Sequence, residues 1–302
     1  MRKQCFVVDS FSAQAFAGNP AGVVLDCREL DGRALLLLAG ELKHSETAFP
    51  LPAREPGTLL HLRWFTSTSE VAFCGHATLA AFHVLVEEAQ RIRVPGTGVV
   101  AHSFTCAAGK LRVELSREKD GKLRVLIETP PATFEPVQIP GEFLTALGLV
   151  PEALDPRHPA RRSQSAEGNL FLALRDREAL SRARPDFAAL VELGRQHQIF
   201  GTVLYVDEPK DGADAALRCF FPAQGIDEDP VTGSAAGQLA LLLQEVLPEE
   251  LPRRFVFTQG DEVGRPGRSE AELRPELRPG DVRAWISGPA SIVLRGEIEV
   301  PG

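Results

Sequence analysis

The chain has 302 residues, 44% of them hydrophobic and 25% charged, with a formal charge of −8 at neutral pH. That balance describes a folded globular protein of about two ordinary domains, and without a Lys/Arg run it excludes a broad nucleic-acid surface. Apolar runs such as Ala34 to Ala39 and Leu239 to Leu243 fall far short of the roughly 20 residues that a bilayer span requires.

In chain order, Cys5 to Val8 and Ala21 to Leu25 read as strands separated by the turn string Gly18-Asn19-Pro20. The opening apolar run meets Asp9 too soon for a signal peptide, so a soluble cytoplasmic protein is expected. Asp31 to Leu42 is predicted helical, followed by strands at Thr47 to Leu51 and His61 to Thr66. Gly75 then opens a helix, His76 to Ala89, that is apolar on nearly every face, and Ser234 to Gln244 has the same character. A helix apolar all round must be wrapped on all sides. The expected fold class is therefore α+β: two pseudo-symmetric, barrel-like lobes of mostly antiparallel strands, each curled around one buried helix.

Val99 to Thr105, Leu111 to Leu115 and Leu123 to Glu128 supply further strands to the first lobe, and Val256 to Thr258, Val282 to Ile286 and Ser291 to Ile298 close the chain. The boundary is placed near Thr129-Pro130-Pro131, giving lobes at 1–129 and 130–290, with a last strand at 291–302 able to return to the first lobe. The charged, Pro-rich stretch from Gly264 to Gly280 is predicted to be a solvated loop.

The two-lobe expectation rests on repetition. Leu62-Arg63-Trp64-Phe65 recurs as Leu217-Arg218-Cys219-Phe220, and the flanking strings recur in the same order. Ser45-Glu46-Thr47-Ala48-Phe49 faces Phe200-Gly201-Thr202-Val203-Leu204, and Glu70 to Ala77 faces Glu228 to Ala235. Phe104-Thr105-Cys106 with Gly109 faces Phe257-Thr258-Gln259 with Gly260. Ordered landmarks whose spacing drifts slightly are what loop insertions make of a duplicated domain, and a cleft between the copies is expected.

The difference between copies carries the chemistry. Glu46 stands opposite Gly201, so one carboxylate without a counterpart can act as general base and then as general acid. Gly75 and Gly233 open the two buried helices, whose first N–H groups and partial positive charge suit a substrate carboxylate. His76, Asp229 and Ser234 are candidate positioning groups. The same residues have plainer readings: Glu46 as a strand glutamate, Asp229 as a cap before Pro230, and the glycines as simple helix starts. His44 lies two residues before Glu46, on the same side of a strand if the alternation holds. Cys74 competes as base or nucleophile at a helix N-terminus, but its counterpart is Thr232, so a two-thiol device is absent. Five cysteines without a Cys-x-x-Cys pair and seven histidines without H-E-x-x-H predict neither a disulfide framework nor a metal, and no Gly-rich dinucleotide or phosphate motif predicts a cofactor.

Ser45-Glu46-Thr47-Ala48-Phe49, Cys74-Gly75-His76-Ala77-Thr78 and Glu228-Asp229-Pro230-Val231-Thr232-Gly233-Ser234 together resemble the PhzF-like phenazine-biosynthesis family of isomerases. The likeness runs from Asp9 and Gly18-Asn19-Pro20-Ala21 to Gln259-Gly260 and Gly264-Arg265-Pro266. It implies the diaminopimelate-epimerase-like fold, usually a homodimer, and a cofactor-free proton shift. In that shift the position of Glu46 moves a proton between two carbons of a dihydro-hydroxyanthranilate-type acid, with His76, Asp229 and Ser234 as further site residues and Gly75 lining the pocket. His44, Gly267-Arg268 and Cys74 depart from the family pattern, and the substrate is left open. Two other functions stay open: a Cys74-dependent amino-acid racemase or epimerase, and a protein that binds a small acid without turning it over.

Overall fold

The computed structural model describes residues 1–165, 168–276, 278 and 281–300. They divide into two compact units, one formed by Met1–Pro130 with the segment from Trp285 onward, the other by Pro131–Ala284. Both are α+β.

In the first unit the chain runs β1 (Arg2–Ser10), β2 (Asn19–Val24), α1 (Gly32–Leu42), β3 (Glu46–Pro52), β4 (Leu60–Phe65), β5 (Glu70–Val71), α2 (Gly75–His83), β6 (Val99–Cys106), β7 (Gly109–Arg117) and β8 (Leu123–Glu128). Every residue of α2 is buried. The expected helix to Ala89 is α-helical only to His83; Val84–Glu88 widens into a π-helical turn closed by Ala89 N–H donating to the Val84 carbonyl at 2.9 Å. On β3 the period of two divides the faces. Phe49 and Leu51 pack with Leu35 and Leu38 of α1, which turns Glu46 and Ala48 to the opposite side, toward α2.

The second unit runs β9 (Thr133–Pro136), α3 (Gly141–Ala146), β10 (Arg161–Gln164), β11 (Asn169–Ala173), α4 (Arg177–Arg182), α5 (Phe187–His197), β12 (Gly201–Val206), β13 (Ala215–Phe221), β14 (Ile226–Asp229), α6 (Gly233–Val246), β15 (Arg253–Gln259) and β16 (Gly267–Pro275), and the boundary falls within β17 (Val282–Ser287). Its central strands are covered on both faces. Phe171, Val203, Tyr205 and Leu217 close on Leu239 and Leu243 of α6, while Leu170, Leu172, Leu204 and Phe220 meet Phe143, Leu180 and Leu190 from the outer helices. Each such side chain taken out of water contributes about 1.5–3 kcal/mol. This double cover explains why β11, β12 and β13 are buried at every position. The last strand, β18 (Ala290–Glu299), pairs antiparallel with β1.

The duplication is visible in the pairing. β2 lies parallel to β3 and β4 to β6; β11 lies parallel to β12 and β13 to β15. Helices α1 and α5 are capped alike, Asp31 accepting from the Ala34 amide and Asp186 from the Ala189 amide, and each ends on a left-handed residue, Lys43 or Gln198. The repeated Leu-Arg-x-Phe strings have one physical cause. Arg63 forks Glu70 with both N···O distances at 2.7 Å and lies 4.9 Å from the Phe65 ring centroid. Arg218 forks Glu228 at 2.8 Å twice and lies 5.2 Å from that of Phe220.

One expectation is corrected. Within the stretch expected to be a solvated loop, Gly267–Pro275 is strand β16, in register with β15 from Gln259↔Gly267 to Arg253↔Leu273. Ser269, Ala271 and Leu273 are buried between half-exposed Glu270, Glu272 and Arg274. The alternation is regular, but its polar half is fully charged and prolines flank it, so composition hid a two-residue period. Positions 277, 279 and 280 of that stretch, and 301 and 302 of the returning strand, lie outside the described residues.

Candidate active site

In the first unit the site forms where β3 begins beside the start of α2. Glu46 opens β3 opposite Ala21 of β2 and is 8% exposed; His76, the second residue of α2, is 4% exposed. His76 Nε2 lies 3.4 Å from Glu46 Oε2 and 3.2 Å from Ser45 Oγ. Its other ring nitrogen, Nδ1, lies 3.3 Å from Asn19 Nδ2 and 3.4 Å from Cys74 Sγ. Ser45 Oγ donates to Asn19 Oδ1 at 3.4 Å, and Ser10 Oγ donates to the His76 carbonyl at 2.8 Å. Gly18 lets the chain enter β2 at this point: it holds φ +67°, and a Cβ there would sit 2.2 Å from the Ser10 carbonyl oxygen.

Burial, with His44 adding repulsion, pushes the His76 pKa down to about 3. The ring is therefore neutral at physiological pH, and its 3.4 Å approach to Glu46 Oε2 is a close polar contact rather than an ion pair; the hydrogen-bond partner of Nε2 is Ser45 Oγ. His44 precedes β3 and lies outside the strand alternation expected for it; its charge bears on His76. Cys74 is the residue before α2 and makes no side-chain cap. A neutral imidazole offers no cation to hold a Cys74 thiolate.

Glu46, Cys74 and His76 place one candidate metal-ligand atom each within 4.8 Å of one another. Cys74 faces Nδ1 and Glu46 faces Nε2 of the same ring, and an imidazole coordinates one ion through one nitrogen.

The second unit builds a different arrangement at the start of α6. Asp229 is 5% exposed and its Oδ2 accepts from Thr232 Oγ1 at 2.6 Å. Gln259 closes the loop: its Nε2 donates to the Asp229 carbonyl at 2.7 Å and to Thr232 Oγ1 at 3.1 Å, and its Oε1 accepts from the Thr232 amide at 3.0 Å. Gly260 follows at φ +97°, where a Cβ would meet the Arg265 carbonyl oxygen at 2.3 Å. Gly233 is buried as the first residue of α6, and Ser234 beside it is half-buried.

Of the residues singled out from sequence, Glu46, Gly75 and His76 lie together in the first unit, and Asp229, Gly233 and Ser234 in the second. Asn19, Ser45, Ser10 and Gln259 are neighbours of the site that sequence reasoning alone misses. Asn19 reads as an ordinary turn residue and Ser45 only as a neighbour of Glu46; Gln259 carried a signal, because it stands in a repeated string.

A strand-wrapped helix in each of two related units, with a buried carboxylate and a neutral histidine at one helix start, is the architecture of a duplicated α+β isomerase. The family described as phenazine biosynthesis-like protein matches residues 8–296. The uncharacterized isomerase YddE of Escherichia coli K12 is 34% identical over 98% of both chains. The trans-2,3-dihydro-3-hydroxyanthranilate isomerase of Pseudomonas aeruginosa is 29% identical over 88% of both. Among solved structures, a PhzF-family protein of Bacillus anthracis superposes with a TM-score of 0.88 at 21% identity, covering 99% of this chain and all of its own, a likeness of fold. The chain belongs to the PhzF-like phenazine-biosynthesis family and is an isomerase. Among the described residues no helix is long and apolar enough to cross a membrane.

Proposed function

We propose that this isomerase moves a proton within a small carboxylate-bearing substrate without a cofactor, and that Glu46 is its single acid-base group. The observation that carries the reading is the asymmetry at the start of the duplicated strand. Glu46 is buried beside neutral His76, whereas its counterpart is Gly201, against which the Phe221 ring is packed. The Glu46 carboxylate takes a proton from one substrate carbon and returns it to another; His76 orients the carboxylate through Nε2. Asp229, Gly233 and Ser234 are assigned substrate-holding roles on the family resemblance and on their recurrence at a helix start. The homodimer implied by the same resemblance belongs to the proposal too and is read by sedimentation.

The isomerase of that name in Pseudomonas aeruginosa makes trans-2,3-dihydro-3-hydroxyanthranilate the first substrate to try. In deuterium oxide, turnover by the wild type should wash label into carbon positions, read by proton NMR. Glu46→Gln, which preserves shape and removes the titrating group, should slow that exchange by about 10²- to 10⁴-fold while folding is retained. Exchange at the wild-type rate in the variant overturns the assignment. The racemase reading keeps one observation in its favour, the 3.4 Å contact of Cys74 Sγ with His76 Nδ1. It requires Cys74→Ser to be the damaging change and Glu46→Gln the harmless one.

A further inference from the structure

The two nitrogens of His76 face chemically different neighbours, and the neutral ring has one proton to place. Nδ1 faces the Asn19 side-chain amide at 3.3 Å and the Cys74 thiol at 3.4 Å. Nε2 faces Glu46 Oε2 at 3.4 Å and Ser45 Oγ at 3.2 Å. Asn19 is fully buried, and its amide oxygen accepts from Ser45 Oγ, which leaves the NH₂ group aimed at the imidazole.

We propose that Asn19 is a positioning residue that holds His76 as the Nε2–H tautomer, so that the ring proton lies on the Ser45 and Glu46 side of the ring and not on the Cys74 side. With Nδ1 accepting from the Asn19 amide, Nε2–H donates to Ser45 Oγ, whose own proton goes to Asn19 Oδ1, and the carboxylate oxygen 3.4 Å away meets an N–H rather than a lone pair. Reversing the tautomer also requires turning the Asn19 amide. Ser45 could adapt to that by donating to Nε2, but the Nε2 lone pair would then stand against a carboxylate oxygen in a buried site. Asn19 and the Glu46 carboxyl oxygen thus select the same tautomer from opposite sides of the ring. For catalysis this keeps a ring N–H, and not a lone pair, beside the Glu46 carboxyl throughout the cycle. The Cys74 thiol on the far nitrogen is left as a second donor to Nδ1, outside the proton path. The catalytic consequence rests on the proposed role of Glu46; the tautomer itself does not.

The test is a long-range proton–nitrogen NMR correlation on full-length protein labelled with ¹⁵N-histidine, with His76 assigned by the loss of its signals in His76→Asn. The wild type should show a protonated Nε2 and an unprotonated, hydrogen-bonded Nδ1. Asn19→Asp presents only acceptors to Nδ1; it should reverse the pattern or protonate both nitrogens, and slow solvent-deuterium exchange by about 10- to 100-fold, the usual scale for removing the group that orients a functional histidine. A proton on Nδ1 in the wild type, or a wild-type pattern in Asn19→Asp, overturns the proposal, and the wild-type measurement does not depend on any variant folding. Glu46→Gln separates the two readings, since its amide oxygen can still face Nε2–H. It should keep the wild-type nitrogen pattern while losing exchange. If it keeps both, the Glu46 assignment fails and the Asn19 assignment stands.

Discussion

The Phe221 ring occupies the space that a side chain on Gly201 would need: a Cβ at Gly201 would lie 2.3 Å from two of its ring carbons and 2.9 Å from Asn169 Oδ1. In the first copy the position of Phe221 is held by Thr66, and the position of Gly201 by Glu46. Where the second copy has no carboxylate, the space is thus filled by a core side chain. Gly201→Ala should destabilise the protein by about 1–3 kcal/mol through overpacking, and Phe221→Leu in the same chain should restore part of that. Urea unfolding reads both. A Gly201→Ala protein as stable as the wild type would show that the ring yields freely.

Acid stability follows from the buried histidines. Burial, then His44, takes His76 down to about 3, and burial, then Arg117, takes His83 down to about 4. Unfolded, both titrate near 6.5, so as the pH falls below that value the unfolded chain binds protons that the folded one refuses. Their contribution is complete above 6.5 and is lost progressively toward pH 4 and 3. At pH 5 the loss is about 2 kcal/mol for each. Carboxylates held low by arginine partners, such as Asp26 and Glu70, act only in the more acidic range. The prediction is a fall in unfolding free energy from pH 7 to 5 that His83→Leu reduces by roughly half; equal stability at the two pH values refutes it.

The paired arginine forks are not equivalent. Arg218 and Glu228 are 5% and 12% exposed, and Arg218 also donates to the Leu180 and Ala183 carbonyls at 2.9 Å each. Arg63 and Glu70 are 19% and 35% exposed. Arg218→Met should therefore cost about 3–5 kcal/mol by stranding a buried carboxylate, and Arg63→Met about 1 kcal/mol or less. Thermal unfolding of the two variants side by side measures the difference, and equal losses would contradict the burial argument.

Gln259 should matter for stability although it bears no charge. Its side chain serves the Asp229 carbonyl, the Thr232 amide and the Thr232 hydroxyl. Gln259→Ala removes those partners at a buried turn, at a cost of about 1–3 kcal/mol. A denaturant midpoint unmoved by Gln259→Ala would mean that water or relaxation replaces the contacts.

Much of this protein is local information and was legible as such. The doubled Leu-Arg-x-Phe string, two helices apolar all round and one glutamate without a counterpart are properties of short windows; they define the α+β class and single out Glu46 without reference to distant contacts. Strand β16 escaped because a charged outer face outweighs its buried residues in composition. The partners of His76 are a different matter. Asn19, Ser45 and Cys74 come from a turn, a strand entry and a helix start; Gln259 likewise reaches Thr232 and Asp229 from a separate strand. Such meetings depend on strand register and on which face of a strand turns inward, and a shift of one residue would exchange every partner. The sequence by itself determines which groups are present and which copy holds the carboxylate. Tertiary packing decides which nitrogen of His76 meets it, and that the ring beside it is neutral.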